Sequence, residues 1–337
     1  MPAEAIQDKI REYLGEKLNK KSSDELAKQL IRGCLAGLEL EDDLSKWFNE
    51  RFIYQSVWLD KDDYLRAITR ALPQALRFAA TDFGNARQRD LGQLWTDTAR
   101  GFLGEIAFKK FSEERLGTKI ELDITTDELL ETYISSDIKY VIDKNGETRK
   151  PKINLSIKTG KFNARWLDEY GSGKFVPIDV FIFVRIGTCR EHFVSFLKSV
   201  SFLKDKLLPA AQQLGELTAE GSDKLWDEIP QFEPVPAYIS GYLVKKECKW
   251  PIHDIRFRAR KDRNKIIREI LFTGGVGIFT DEELRKIPQI KELDPDEKLE
   301  IIVEGIGAPL TNKPHFFAST GLLKCGKDNW VELIKKI

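Results

Sequence analysis

The chain has 337 residues, 42% of them apolar and 10% aromatic, which is enough for a substantial core in one large domain or two ordinary ones and argues against wholesale disorder. Lys and Arg number 54 and Asp and Glu 54, so any nucleic-acid footprint must come from local clustering rather than overall basicity. Cys34, Cys189, Cys248 and Cys325 form no CxxC pair, and no long uncharged run exists, so a disulfide framework, a structural zinc site and a membrane span are disfavoured and a cytoplasmic protein is expected.

The stretch to about Ala80 reads as helical. Ile6, Ile10 and Leu14 recur at one-turn spacing, and Ser22 with Glu25 has the form of a capping box before Leu26, Leu30 and Cys34. Trp47, Phe48, Phe52, Tyr54 and Trp58 then form an aromatic segment expected as core between helices.

A long helix pattern follows over residues 85–112, with Leu91, Trp95, Thr98 and Phe102 as its apolar stripe. At about 100° per residue, Glu105 falls within roughly 60° of the centre of that stripe. A carboxylate there is a costly buried group, a snorkelling or paired one, or one that faces a functional cleft. Gly101 and Gly104 beside it would let another backbone come close.

Residues 119–125, 134–142 and 152–159 read as strands. The last two flank Asn145-Gly146, a hairpin signal, and their pairing would bring Asp137 opposite residues 154–157. Ser156 and Lys158, two apart, would share a face of their strand. Residues 162–170 read as a short helix or loop, 178–186 as a buried strand, and Phe193, Phe196, Leu197 and Val200 mark another helix. Pro230, Pro234 and Pro236 mark a connection into a mixed remainder containing the strand-like run 238–244.

Two carboxylates brought together by a helix and a strand make a hard-oxygen site suited to Mg²⁺, and a lysine beside them could position a water or stabilise developing charge on a phosphate. The order Glu105, Asp137, Ser156-Ile157-Lys158 resembles the PD-(D/E)XK nuclease superfamily and, within it, type II restriction endonucleases. Arg100-Gly-Phe-Leu-Gly-Glu-Ile-Ala-Phe108 and Ser156-Ile-Lys-Thr-Gly-Lys161 carry the likeness, which spans residues 82–198. The resemblance implies a restriction-endonuclease-like α/β fold, with a mixed central sheet flanked by helices. It further implies Asp137 as metal ligand, Lys158 as the lysine of the motif and Glu105 as the extra helix carboxylate. The sequence departs from the pattern at Ser136, where proline is usual, and at Ser156, which stands in place of the second acid. Glu105 is one replacement for that acid; Asp168 or Glu169, expected on a helix after the lysine strand, is the other.

Three regions result: a helical N-terminal region (1–80), a catalytic core (81–228) and an α+β C-terminal extension (229–337). In the extension, the segment from Arg256 to Arg268 holds seven basic residues and one acid. Alternation at Arg256, Arg258 and Arg260 suits a strand offering one face to phosphates. With Lys161, Lys261 and Arg263 these residues are the candidate DNA contacts; the alternative is a solvated charged face. Gly321-Leu-Leu-Lys-Cys-Gly-Lys327 imitates a phosphate loop, but Asp328 replaces the required hydroxyl and too little chain follows. The expected function is a Mg²⁺-dependent endonuclease cutting double-stranded DNA as a homodimer, most simply a type II restriction enzyme. The alternatives are a repair or non-specific nuclease of the same fold, or a DNA-binding module without catalysis.

Overall fold

A computed structural model of the chain describes residues 3–41, 43–81, 90–123, 136–143, 146–170, 178–247, 255–262, 265–272, 276–279, 299–303 and 315–337. Its centre is a four-stranded sheet in the order β1 (Ser56–Leu59), β8 (Val235–Val244), β7 (Val180–Ile186), β5 (Leu155–Lys161). β5 runs parallel to β7, and the other pairs are antiparallel, so the sheet is mixed. It draws one strand from residues 1–80, two from 81–228 and one from 229–337. The N-terminal region is therefore not purely helical, because Ser56–Leu59 pairs with β8 through the register Ser56↔Tyr238 to Leu59↔Val235.

Every residue of β7 is buried, as the continuous apolar run requires of a central strand covered on both faces. Ile182, Val184 and Ile186 meet the long helix α5 (Leu91–Leu116) and helix α4 (Lys61–Thr81) in the main core. Phe181 and Phe183 face the other way, toward Leu167 and Ala318. On that second side, α1 (Ala3–Gly15) and α2 (Lys20–Ala36) pack Ile6, Ile10, Leu14, Leu26 and Leu30 against Tyr238. The protein is thus α/β, with a mixed sheet flanked by helices. In β8 the alternation changes phase at Gly241, whose φ of 150° and whose missing Cβ (it would lie 2.7 Å from Leu323 Cβ) require glycine.

A charged cluster crosses the second interface. Glu39 lies in the core and accepts hydrogen bonds from Arg185 and from the Tyr238 hydroxyl. Arg185 Nε also donates to Ser240 Oγ at 2.8 Å, while Arg51 reaches the carbonyls of Ser240 (3.2 Å) and Thr320 (3.1 Å). Burial alone would raise the Glu39 carboxyl, but Arg185 and Arg51 together hold it below its ordinary value.

Several local expectations need correction. Helix α2 begins at Lys20 and is capped by Asn19, whose side chain accepts the Ser22 amide; Ser22 is not the cap, and its hydroxyl instead donates to Glu233 Oε2 at 2.7 Å. The long helix starts after the Asp90 cap and continues to Leu116, where Gly117 turns it off at φ 63°. Its buried line is Leu94, Ala99, Phe102, Leu103 and Ile106, while Leu91 is exposed. The expected hairpin is also different. β3 (Ile138–Ile142) pairs with β2 (Lys119–Leu122) and with the two-residue β4 (Thr148–Arg149), while β5 joins the central sheet. Asn145 lies outside the described residues. Residues 166–170 form strand β6 (Trp166–Tyr170), not a helix, because their alternation pairs with β13 (His315–Ser319).

Candidate active site

Helix α5 meets strand β5 where Gly104 leaves room for the Thr159 side chain. A Cβ on Gly104 would fall 2.0 Å from Thr159 Oγ1, and that hydroxyl donates to Gly101 O at 3.3 Å. This close approach brings the next residue, Glu105, close to strand β5. Gly101 has no such steric duty, since a Cβ there would meet nothing within 4 Å.

Asp137, immediately before β3, is fastened to the same strand. Its amide donates to Leu155 O at 2.9 Å, and its carboxylate accepts the Ile157 amide. Asp123, at the end of β2, donates its amide to Asp137 O at 3.0 Å. Asp137 thus lies beside residues 155–157, as expected, but it gets there through two single contacts rather than a hairpin ladder.

The electrostatics follow from this geometry. The Glu105 side chain is only 16% exposed, and its Oε2 accepts no hydrogen bond. Burial first, then the nearby Asp137 carboxylate, push the Glu105 carboxyl up to about 8, with Asp123 adding to the effect. Arg70 on α4 and, more weakly, Lys158 on β5 oppose the rise. Glu105, Asp137 and Lys158 are therefore within electrostatic reach of one another. Arg70 Nη2 is 3.6 Å from Glu105 Oε2, donates to Asp123 O at 3.3 Å, and its guanidinium sits 4.3 Å from the centre of the Phe102 ring.

Arg70 and Asp123 were missed in the sequence. Arg70 sits at an unremarkable helix position, and Asp123 ends a strand whose partner could not be read from spacing. Ser156, on the lysine strand, is buried opposite Phe181. Asp168 and Glu169 are on strand β6, in register with Phe317 and Phe316, so the helix that was to present them does not exist. Among the described residues, no group of three or more His, Cys, Asp or Glu side chains is disposed to hold a metal ion. Glu105 and Asp137, with Asp123 close by, are the carboxylates of the site among the described residues.

The basic segment forms β9 (Ile255–Asp262), antiparallel to β10 (Lys265–Phe272), which in turn runs parallel to β12 (Leu299–Val303). Arg256, Arg258 and Arg260 occupy alternate positions of β9, opposite Leu271, Glu269 and Ile267. Arg258 and Lys261 are exposed, as is Lys161 at the end of β5. Arg263 lies outside the described residues.

The other motifs have structural explanations. Gly321 of the phosphate-loop imitation donates its amide to Gly37 O at 2.8 Å, and its Cβ position is filled by the Leu38 carbonyl, so the segment is a packed anchor for α2. His192 follows Cys189 at a CxxH spacing. Its Nδ1 accepts the Cys189 amide at 2.7 Å, closing the turn into helix α6 (His192–Ser199), and the imidazole is buried. Among the described residues, no helix is long and apolar enough to cross a membrane. No protein-family model, no curated protein and no solved structure matches the chain.

Proposed function

We propose that this protein is a Mg²⁺-dependent endonuclease that hydrolyses phosphodiester bonds of double-stranded DNA, with the type II restriction enzymes as its nearest functional analogy. The observation that carries the reading is Glu105: a buried carboxylate with an unsatisfied oxygen, within electrostatic reach of Asp137 at strand β5. Leaving a carboxylate oxygen buried without a hydrogen bond is costly, and a divalent cation would relieve that cost.

The donor set fits Mg²⁺. That ion commonly takes only one or two protein carboxylates and completes its shell with waters and substrate phosphate oxygens, so a third acid is not required. Bound there, Mg²⁺ would supply Lewis acidity toward a phosphate oxygen and a more acidic water. Asp137 and Glu105 would be its protein ligands, with Asp137 held in place by the Ile157 amide. Lys158 lies on the strand that carries this amide and would present its ammonium group to the scissile phosphate. There it would stabilise charge on the non-bridging oxygens or orient the attacking water. The exposed Arg258, Lys261 and Lys161 would contact backbone phosphates. A homodimer would match the two-fold symmetry of a palindromic site.

Incubating the purified chain with plasmid DNA and Mg²⁺ tests this reading. Discrete fragments support a restriction enzyme, a smear supports a non-specific or repair nuclease, and retarded but intact DNA leaves only a binding module and refutes the nuclease proposal.

A further inference from the structure

Arg70 lies in α4, outside the segment that resembles a nuclease, yet its guanidinium joins the two halves of the site. One contact is the Glu105 carboxylate on α5, at 3.6 Å. The other is the Asp123 carbonyl, at 3.3 Å, and the Asp123 amide in turn donates to Asp137 O. The face of Phe102 supports the guanidinium from α5. The group is therefore anchored by partners other than Glu105, and it presents a fixed charge to one acid while gripping the strand end that fixes the other.

Stability alone accounts poorly for this arrangement. Arg70 Nε is buried with no acceptor, and Glu105 Oε2 is buried with no donor, although the two side chains are neighbours. A purely structural ion pair would close to hydrogen-bonding distance and satisfy both. Here Arg70 Nη2 stays 3.6 Å from Glu105 Oε2, an ion pair without a hydrogen bond, and that oxygen keeps an unfilled acceptor position.

We infer that Arg70 is the positioning residue of this site, holding the Glu105 carboxylate in register with Asp137 so that the two together receive a divalent cation. The inference rests on the reading of Glu105 and Asp137 as cation ligands. Arg70 touches neither cation nor phosphate in this account; it acts through Glu105.

The test is Mn²⁺ binding to the full chain, followed by electron paramagnetic resonance, for wild type, Arg70→Met, Arg70→Lys, Glu105→Gln and the Arg70→Met/Glu105→Gln double variant. Loss of an outer-sphere partner typically weakens metal affinity by roughly 10–100-fold, so Arg70→Met should fall in that range. Arg70→Lys keeps the charge but loses the planar fork, and should lose less. In the Glu105→Gln background, Arg70→Met should add almost nothing, because the ligand it positions is gone. Unchanged Mn²⁺ affinity in Arg70→Met, or an equal further loss in the Glu105→Gln background, would overturn the inference while leaving the metal site standing. A wild-type protein that binds no Mn²⁺ would overturn both. Should Arg70→Met fail to fold, Arg70→Lys carries the same comparison: its smaller loss must also vanish in the Glu105→Gln background.

Discussion

The Asp137 carboxylate accepts the main-chain amide of Ile157, the residue just before Lys158. With the bond from the Asp137 amide to Leu155 O, this contact ties the start of β3 to the strand that carries Lys158, although the two strands belong to different sheets. Asp137 has two duties, as an acceptor for that amide and as a charge. Asp137→Asn keeps the first and removes the second, and should leave the thermal midpoint near wild type while abolishing Mn²⁺ binding. Asp137→Ala should in addition lose about 1–3 kcal/mol of stability, the cost of a part-buried amide left without its partner. Calorimetric Mn²⁺ titration and thermal unfolding of both variants check this, and Glu105→Ala should weaken binding less than either.

The Glu105 carboxyl is raised to about 8 by burial and by Asp137. A group whose folded pKa lies above its unfolded value of about 4.5 makes its full contribution below that value and loses it as pH rises toward 8. The metal-free protein should therefore lose stability between about pH 4.5 and pH 8, by on the order of a few kcal/mol. Glu105→Gln should flatten that part of the profile and exceed wild type in stability at pH 8. Mn²⁺ should restore wild-type stability at pH 8 and do little for the variant. Urea unfolding across the pH range measures both effects.

Arg185 and Glu39 are completely buried together in the second core. Removing Arg185 leaves the buried Glu39 charge with Arg51 alone, at 3.7 Å, and Arg185→Met should destabilise by up to about 3–5 kcal/mol. The double variant Arg185→Met/Glu39→Gln should recover a large part of that loss. Chemical denaturation of wild type, Arg185→Met, Glu39→Gln and the double variant gives the coupling, and additive losses would show that the two residues do not act as a pair.

Replacing Arg256, Arg258 and Arg260 by Gln should weaken duplex binding and reduce the slope of log affinity against log salt. Each lost phosphate contact removes about 0.9 from that slope. Filter binding over a salt series reads the change; an unaltered slope would make β9 a solvated strand edge.

Much of the layer arrangement was legible in the sequence because it rests on periodicity. The apolar run of β7 could only be a central strand, and the helical repeat of Ile6, Ile10 and Leu14 is the face that packs on the second side. What escaped was decided by long-range pairing. Ser56–Leu59 is too short to announce itself among helices and is a strand because β8 is there to receive it. Residues 166–170 carry Asp and Glu in the middle of an apolar pattern, which obscured their pairing with β13. The site was half legible: Glu105 showed as an acid near an apolar stripe, and Asp137 and Lys158 by their order. Arg70 could not be seen, because its meaning comes from packing α4 against α5, which no local pattern records.

The most direct test of the account is cleavage of supercoiled plasmid with Mg²⁺ by wild type and by Lys158→Ala, with gel retardation measured in parallel. The account predicts cleavage by wild type, a loss of orders of magnitude in the variant, and equal DNA retardation by both, since Lys158 acts on the chemical step. Cutting by Lys158→Ala at the wild-type rate would contradict it, as would a wild-type protein that leaves every plasmid intact.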